Sequence, residues 1–385
     1  MLSWLAFELD QDIMTAPKKT LVFHIGDHKT GSTAIQSAFA QAQVSLGDRS
    51  VFYPAKLAHN YLKQHCNAYA APHATGGRKK AIAVFRKLAA RVRESDADFS
   101  LISAEEMEWA DPEVLHDIIT RYFADTVDEI HVIAYVRPHA ARLLSSFAER
   151  TKLGIPHILS GTLDTLFEET LERRRFHYEP RFSTWRRLFG DQFTLRPMIR
   201  EHLDQGDVVK DFIRHAFATH DFQITGVGAA NASLDLEDLM RLKVLQRHLL
   251  EHRNQLRFRH MLGWEFSRIL ATLPAPQTQT KLRLHRSLAE RLHTTYLADA
   301  QAMDQSFFDR APLLENALTG ALEAAVDTPQ SVEPADYLPP SDLRSLAVLS
   351  KVICGMLEND GQDWPEFLHA KRTKETQKIA RANKS

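Results

Sequence analysis

The chain reads as an α/β protein, a P-loop-like parallel sheet covered by helices on both faces, with a helical C-terminal extension. Three observations predict this class. Short apolar, β-prone runs recur near 20–25, 50–53, 99–103, 129–136 and 192–199 with helical stretches between them, and such alternation builds a covered parallel sheet. The first run opens through a glycine-bearing loop into a helix, and from about Ser233 onward the pattern is helical.

The first strand, Thr20-Leu21-Val22-Phe23, leads into His24-Ile25-Gly26-Asp27-His28-Lys29-Thr30-Gly31-Ser32-Thr33, and Ile35, Ala38, Phe39 and Ala42 then recur at helical spacing. Gly26 and Gly31 permit tight turns, and the amides of Gly31 to Thr33 lie where a helix N-terminus presents unpaired N–H groups. This is a phosphate-binding loop by its chemistry. A Walker loop reads G-x-x-x-x-G-K-[ST]; here the two glycines have that separation, but Ser32 stands where the lysine belongs and the cation sits inside the loop at Lys29. Lys29 and the hydroxyl pair Ser32 and Thr33 therefore clamp an anion by a different arrangement.

The second and third strands are Val51-Phe52-Tyr53-Pro54 and the run ending Leu101-Ile102-Ser103-Ala104-Glu105. The fourth, Glu129 to Val136, ends at Arg137-Pro138, with Pro138 suited to a first helical turn and Ser145 eight residues after Arg137. A guanidinium offers forked donors that match a phosphate monoester.

A lysine, a small residue, glycine and two hydroxyl residues after a strand, followed by an arginine at a later strand end with a serine eight positions on, resembles the sulfotransferases that use 3′-phosphoadenosine 5′-phosphosulfate (PAPS). Val51-Phe52-Tyr53-Pro54, Leu101 to Glu105, Ser146-Phe147, Lys152-Leu153-Gly154, Trp185 to Gly190, Arg196-Pro197, Asp211-Phe212 and Asn231 to Leu234 resemble the bacterial branch in their order, so the likeness spans roughly residues 20 to 320. It implies that Lys29, Thr30, Gly31, Ser32 and Thr33 hold the 5′-phosphosulfate. It further implies that Arg137 and Ser145 hold the 3′-phosphate, that PAPS is the co-substrate, and that no metal takes part. The expected reaction is direct in-line transfer of a sulfuryl group to a hydroxyl, carried by a small molecule or a carbohydrate.

Lys29 is expected to neutralise charge on the departing oxygen. Family members use histidine or glutamate as general base, and Glu105, at the carboxyl edge of the sheet, is the first candidate; His59, His65 and His73 lie in the loop-rich region before it and titrate near neutrality. Arg173-Arg174-Arg175 with Arg181, Arg186 and Arg187 reads either as recognition of an acidic glycan or as a solvated helix face. His24 and His28 lack a third metal ligand in register. Two rival functions remain: a P-loop kinase, which Lys29's displacement and the lack of a Walker B aspartate at the third or fourth strand end disfavour, and a catalytically inactive nucleotide-binding interaction protein.

The 385 residues, 44% hydrophobic, suffice for a large core, and a formal net charge of −1 gives no global attraction to nucleic acid or anionic membranes. Cys66 and Cys354 are far apart and read as plain thiols. With no apolar run near the ~20 residues of a membrane span, and no signal-like flanks around Met1 to Phe7, a cytoplasmic protein is expected; the sequon Asn231-Ala232-Ser233 then carries no glycan. Oligomeric state is not legible. The expected organisation is a flexible segment 1–17, with Met14 as an alternative start, then an α/β core 18–230. A helical extension 231–327 of the same domain follows, with Ser233 as N-cap, and then helices 328–370 after the break holding Pro329, Pro334, Pro339 and Pro340. The polar segment Pro72 to Lys80 reads as a loop, either folded over the site or surface slack, and the basic tail 371–385 as disordered.

Overall fold

The computed structural model describes residues 18–71, 76–225, 234–252, 256–274, 279–359 and 363–383. Segment 1–17, Ser233 and the sequon therefore lie outside the described residues. Among the described residues there are seven strands: β1 Thr20–His24, β2 Val44–Ser45, β3 Val51–Phe52, β4 Phe99–Ser103, β5 Glu129–Val136, β6 Phe193–Pro197 and β7 Gln223–Ile224. The five predicted runs form one all-parallel sheet in the order β3-β4-β1-β5-β6; β2 and β7, which the sequence did not announce, pair antiparallel beside it.

The helices α1 Ser32–Ala40, α2 Leu62–Ala70, α3 Gly76–Glu94, α4 Pro112–Tyr122, α5 His139–Lys152, α6 Pro156–Leu159, α7 Leu163–Glu172, α8 Tyr178–Phe189 and α9 Val208–Ala216 accompany the sheet. The extension contributes α10 Leu236–His252, α11 Leu256–Leu270, α12 Arg286–Phe307, α13 Leu313–Glu323, α14 Pro340–Asn359 and α15 Trp364–Ala382. Alternate strand residues point to opposite faces. Leu21, Phe23, Ile102, Val132, Ala134 and Val136 join a core with α3, α4, α5 and α8, whereas Val22, Leu101, Ile133 and Tyr135 join one with Ile35 and Phe39 of α1 and Phe212 and Ile213 of α9. Both faces are covered, which is why Leu21 to Phe23 of β1 and Val132 to Val136 of β5 read as unbroken apolar runs. Leu239 of α10, Leu288 and Tyr296 of α12 and Leu318 of α13 enter the first of these cores, so the extension packs into the sheet's own interior.

The centre of the sheet fixes the site. β1 pairs with β4 on one side and β5 on the other, with His24 opposite Ser103 and Ile133. The chain leaves β1 for β3 and β4, then crosses to β5 and β6, so the strand order reverses between β1 and β5. Open α/β sheets bind ligands outside the carboxyl ends at such a reversal, and here the loop after β1 and Arg137 after β5 flank it.

Two expectations are corrected. Residues 371–382 are not disordered but continue α15, which Asp363 caps by accepting the Glu366 amide. Lys371 meets Glu265 of α11 at 3.5 Å, Thr376 is buried and Asn383 bonds the Gln41 carbonyl at 3.0 Å. The segment lacks an apolar stripe but is rich in strong helix formers, and tertiary contacts do the rest. Likewise Gly76 to Lys80 begin α3 rather than a loop; residues 72–75, with His73, lie outside the described residues. Both cysteines are free and buried, and burial pushes the Cys66 thiol up to about 12. No described helix is long and apolar enough to cross a membrane.

Candidate functional site

The loop between β1 and α1 takes positive φ at three places, Gly26 (58°), Lys29 (68°) and Gly31 (82°). At two of them glycine answers a close approach as well. A Cβ on Gly26 would sit 2.5 Å from Glu105 Cα, and one on Gly31 would sit 2.7 Å from a Val208 methyl. Gly31 precedes α1 without any side-chain cap, and the Ala34 amide turns back to the Gly31 carbonyl at 2.9 Å. The first-turn amides of Ser32 and Thr33 are thereby left facing out of the helix start, where an anion is favoured. The three loop hydroxyls differ in what they bind. Thr30 Oγ1 donates to the Asp27 carbonyl at 2.6 Å and holds the turn shut. Ser32, only 2% exposed, has no partner for its Oγ among the described residues, an unmet hydrogen-bonding demand at the mouth of the loop. Thr33 is exposed beside it.

Arg137 and Ser145 are brought together. The Arg137 guanidinium donates to Ser145 Oγ at 3.2 Å and to the Lys29 carbonyl at 2.7 Å, so it touches the centre of the loop from the end of β5. The Tyr178 hydroxyl bonds the Arg137 carbonyl at 3.0 Å and fixes the backbone beneath it.

A buried charge network, unread in the sequence, sets the loop's shape. Asp27 is fully buried and takes a forked pair from Arg181 at 2.8 and 3.1 Å. Arg142 donates to Glu108 at 2.8 and 3.0 Å and to the His28 carbonyl, and reaches Asp27 at 3.4 Å. Glu108 in turn accepts the His28 amide at 2.9 Å and binds the same residue's Nδ1. Burial alone raises a carboxyl, yet Arg142, His28 and Arg181 hold Glu108 well below the usual carboxylate range. Burial likewise opposes a charged His28, but Glu106, Glu108 and Glu105 outweigh it and raise the imidazole to about 10. His28 is thus a second fixed cation next to Lys29, held at neutral pH by carboxylates rather than poised to titrate.

Lys29 pairs with Glu149 at 3.1 Å, and Lys152 meets the same carboxylate at 2.6 Å. Burial would raise Glu149, but the two lysines bring it down to about 2. Trp264 of α11 approaches the other Glu149 oxygen at 3.4 Å. Lys152 is placed by the extension: Gln246 of α10 bonds its carbonyl at 2.7 Å, and Gly263 lets α11 pack so close that a Cβ would strike that carbonyl. The sequence signal for Glu149 is its place four residues after Ser145, on the same face of α5.

Among the base candidates, Glu105 lies beside the loop, 4.0 Å from His28 Nε2 and against Gly26, and burial raises its pKa. A carboxyl moved toward neutrality by burial is suited to accept a proton. His59 is buried, accepts the Ser103 amide at 3.2 Å through Nδ1, and burial lowers it to about 4, so it stays neutral. His65 lies in α2 against Tyr61 and Phe85. His24 binds Ser103 Oγ at 2.8 Å, and burial lowers it to about 3. Among the described residues no cluster of three His, Cys, Asp or Glu side chains is arranged to hold a metal ion.

The arginine run divides. Arg173 to Arg175 occupy the turn between α7 and α8, Arg181 is spent on Asp27, Arg186 lies over Phe307 and Arg187 pairs with Glu113 at 2.8 Å. Arg173, Arg174, Arg186 and Arg187 are exposed, as a solvated face requires, whereas Arg175 and Arg181 are partly covered.

No family model matches the chain, and a search of curated proteins finds no match.

Proposed function

We propose that the chain is a P-loop-like sulfotransferase that moves a sulfuryl group from PAPS to a hydroxyl of a carbohydrate or related acceptor. The observation that carries this reading is the Arg137–Ser145 pair at 3.2 Å, joined to the carbonyl of Lys29 in the loop. Two anion-binding elements, a helix N-terminus with an unpartnered Ser32 hydroxyl and a forked guanidinium with a serine, then flank one strand reversal, as a nucleotide with phosphates on both its 5′ and 3′ oxygens requires.

In this reading the loop amides, Ser32 and Thr33 hold the 5′-phosphosulfate, and Arg137 with Ser145 holds the 3′-phosphate. The acceptor oxygen attacks sulfur in line, the bond from sulfur to the bridging oxygen breaks, and adenosine 3′,5′-bisphosphate leaves. Lys29 turns from Glu149 to the bridging oxygen as charge builds there, while Lys152 continues to neutralise Glu149. Glu105 takes the acceptor proton. Positioning and electrostatics supply most of the acceleration in such transfers.

The test is product formation in EDTA. Protein supplied with PAPS and a panel of mono- and oligosaccharides is expected to release adenosine 3′,5′-bisphosphate and sulfated sugar, read by mass spectrometry, with no need for a divalent ion. Phosphoryl transfer from Mg-ATP with no sulfated product from PAPS would hand the chain to the kinase reading.

A further inference from the structure

The turn after α7, with Arg173, Arg174, Arg175 and His177, and Trp109 line a cleft of about 320 Å³ whose wall Pro180, Glu108 and Arg181 complete. The cleft adjoins the phosphate loop through those last two residues: Glu108 holds the His28 amide and Arg181 holds Asp27. The Trp109 and His28 rings are 5.8 Å apart, and His28 directly precedes Lys29.

The charge in this cleft is unbalanced. Arg181 and Glu108 are already committed inside the network. Arg150, His157, Arg173 and Arg175 share one carboxylate, Glu169, at 2.8, 2.9, 3.2 and 3.7 Å. Arg174, exposed and at φ 50°, has no ion pair among the described residues. Trp109 is 41% exposed, with the Arg175 guanidinium over its ring at 5.1 Å. Forked donors seek a carboxylate or sulfate, and an exposed indole seeks a flat apolar face. One ligand carrying both groups satisfies the cleft.

We infer that this cleft is the acceptor subsite and that the acceptor is an anionic sugar, its carboxylate held by Arg173 and Arg174 and its ring laid on Trp109. This rests on the sulfotransferase reading, since the loop and Arg137 account for the donor's own anions. The exposed apolar faces of a neutral sugar would engage Trp109 alone and leave the guanidiniums unused.

The test is calorimetric titration of the full chain with a galacturonic acid trisaccharide and with its neutral galactose counterpart. The acidic trisaccharide is expected to bind at least tenfold more tightly than the neutral one. Arg173→Ala/Arg174→Ala is expected to weaken it about 10- to 100-fold, the size of lost charge-assisted hydrogen bonds, with adenosine 3′,5′-bisphosphate affinity unchanged. Equal binding of the two trisaccharides, no binding of either, or full affinity in the double variant would overturn the assignment. Binding of the acidic trisaccharide that depends on the two arginines, in a protein that does not bind the bisphosphate, would uphold the ligand class and sink the sulfotransferase reading instead.

Discussion

Lys29→Ala is expected to lower turnover about 100- to 1,000-fold, the effect of removing one well-aimed donor to developing charge. The loop survives the change because Lys29 contributes no side-chain bond to its shape: Thr30, Arg137 and Arg142 hold the turn through backbone carbonyls. Alanine meets the same positive φ that lysine does, so the backbone cost is shared by both. Glu149 keeps Lys152 as its partner. The loss therefore falls on the chemical step, and kcat with PAPS saturating is the quantity to compare. A variant within a few-fold of the native rate would remove the lysine from its assigned role.

Arg142→Met is expected to destabilise the fold by about 3–5 kcal/mol, measured from the denaturant midpoint, because it strips one partner from a buried ionic network. Arg142 is 4% exposed and neutralises Glu108 and Asp27 at once while tying the His28 carbonyl. Methionine fills most of the volume but leaves Glu108 bonded to His28, with Arg181 as the remaining nearby guanidinium, and Asp27 with Arg181 alone. The companion variant Arg142→Met/Glu108→Gln, which removes the stranded charge, should recover a measurable part of the loss, a coupling that a double-mutant cycle reads directly. A loss under 1 kcal/mol would mean that the network does not hold the loop.

The sheet was legible because its central strands, covered on both faces, carry apolar runs such as Leu21 to Phe23 and Val132 to Val136, and because glycine and proline punctuate the boundaries. The loop was legible for a related reason: Gly26 and Gly31 are local demands of backbone shape, written in sequence at a fixed spacing. Arg137 just precedes α5 and Ser145 lies about two turns from it along that helix, so their meeting also follows from spacing. The Asp27–Arg181, His28–Glu108 and Arg142–Glu108 pairs did not follow, since their members are 154, 80 and 34 residues apart and nothing local marks one as the other's partner. Trp264 is a similar case, carried to Glu149 by the packing of α11 on the end of α5. The part of α15 from Lys371 on was misread because its order comes from contacts with α11 and the Gln41 carbonyl rather than from an apolar stripe of its own.

The central claim is that the site holds a nucleotide through a 3′-phosphate as well as a 5′ anion. The most direct measurement is the dissociation constant of adenosine 3′,5′-bisphosphate against that of ADP, by calorimetry, in the native protein and in Arg137→Ala. The native protein is expected to prefer the bisphosphate by at least tenfold, and Arg137→Ala to abolish that preference while leaving ADP affinity unchanged, since a charge-assisted pair contributes about 1.5–3 kcal/mol. Equal affinity for the two nucleotides in the native protein, or an undiminished preference in the variant, would contradict the account.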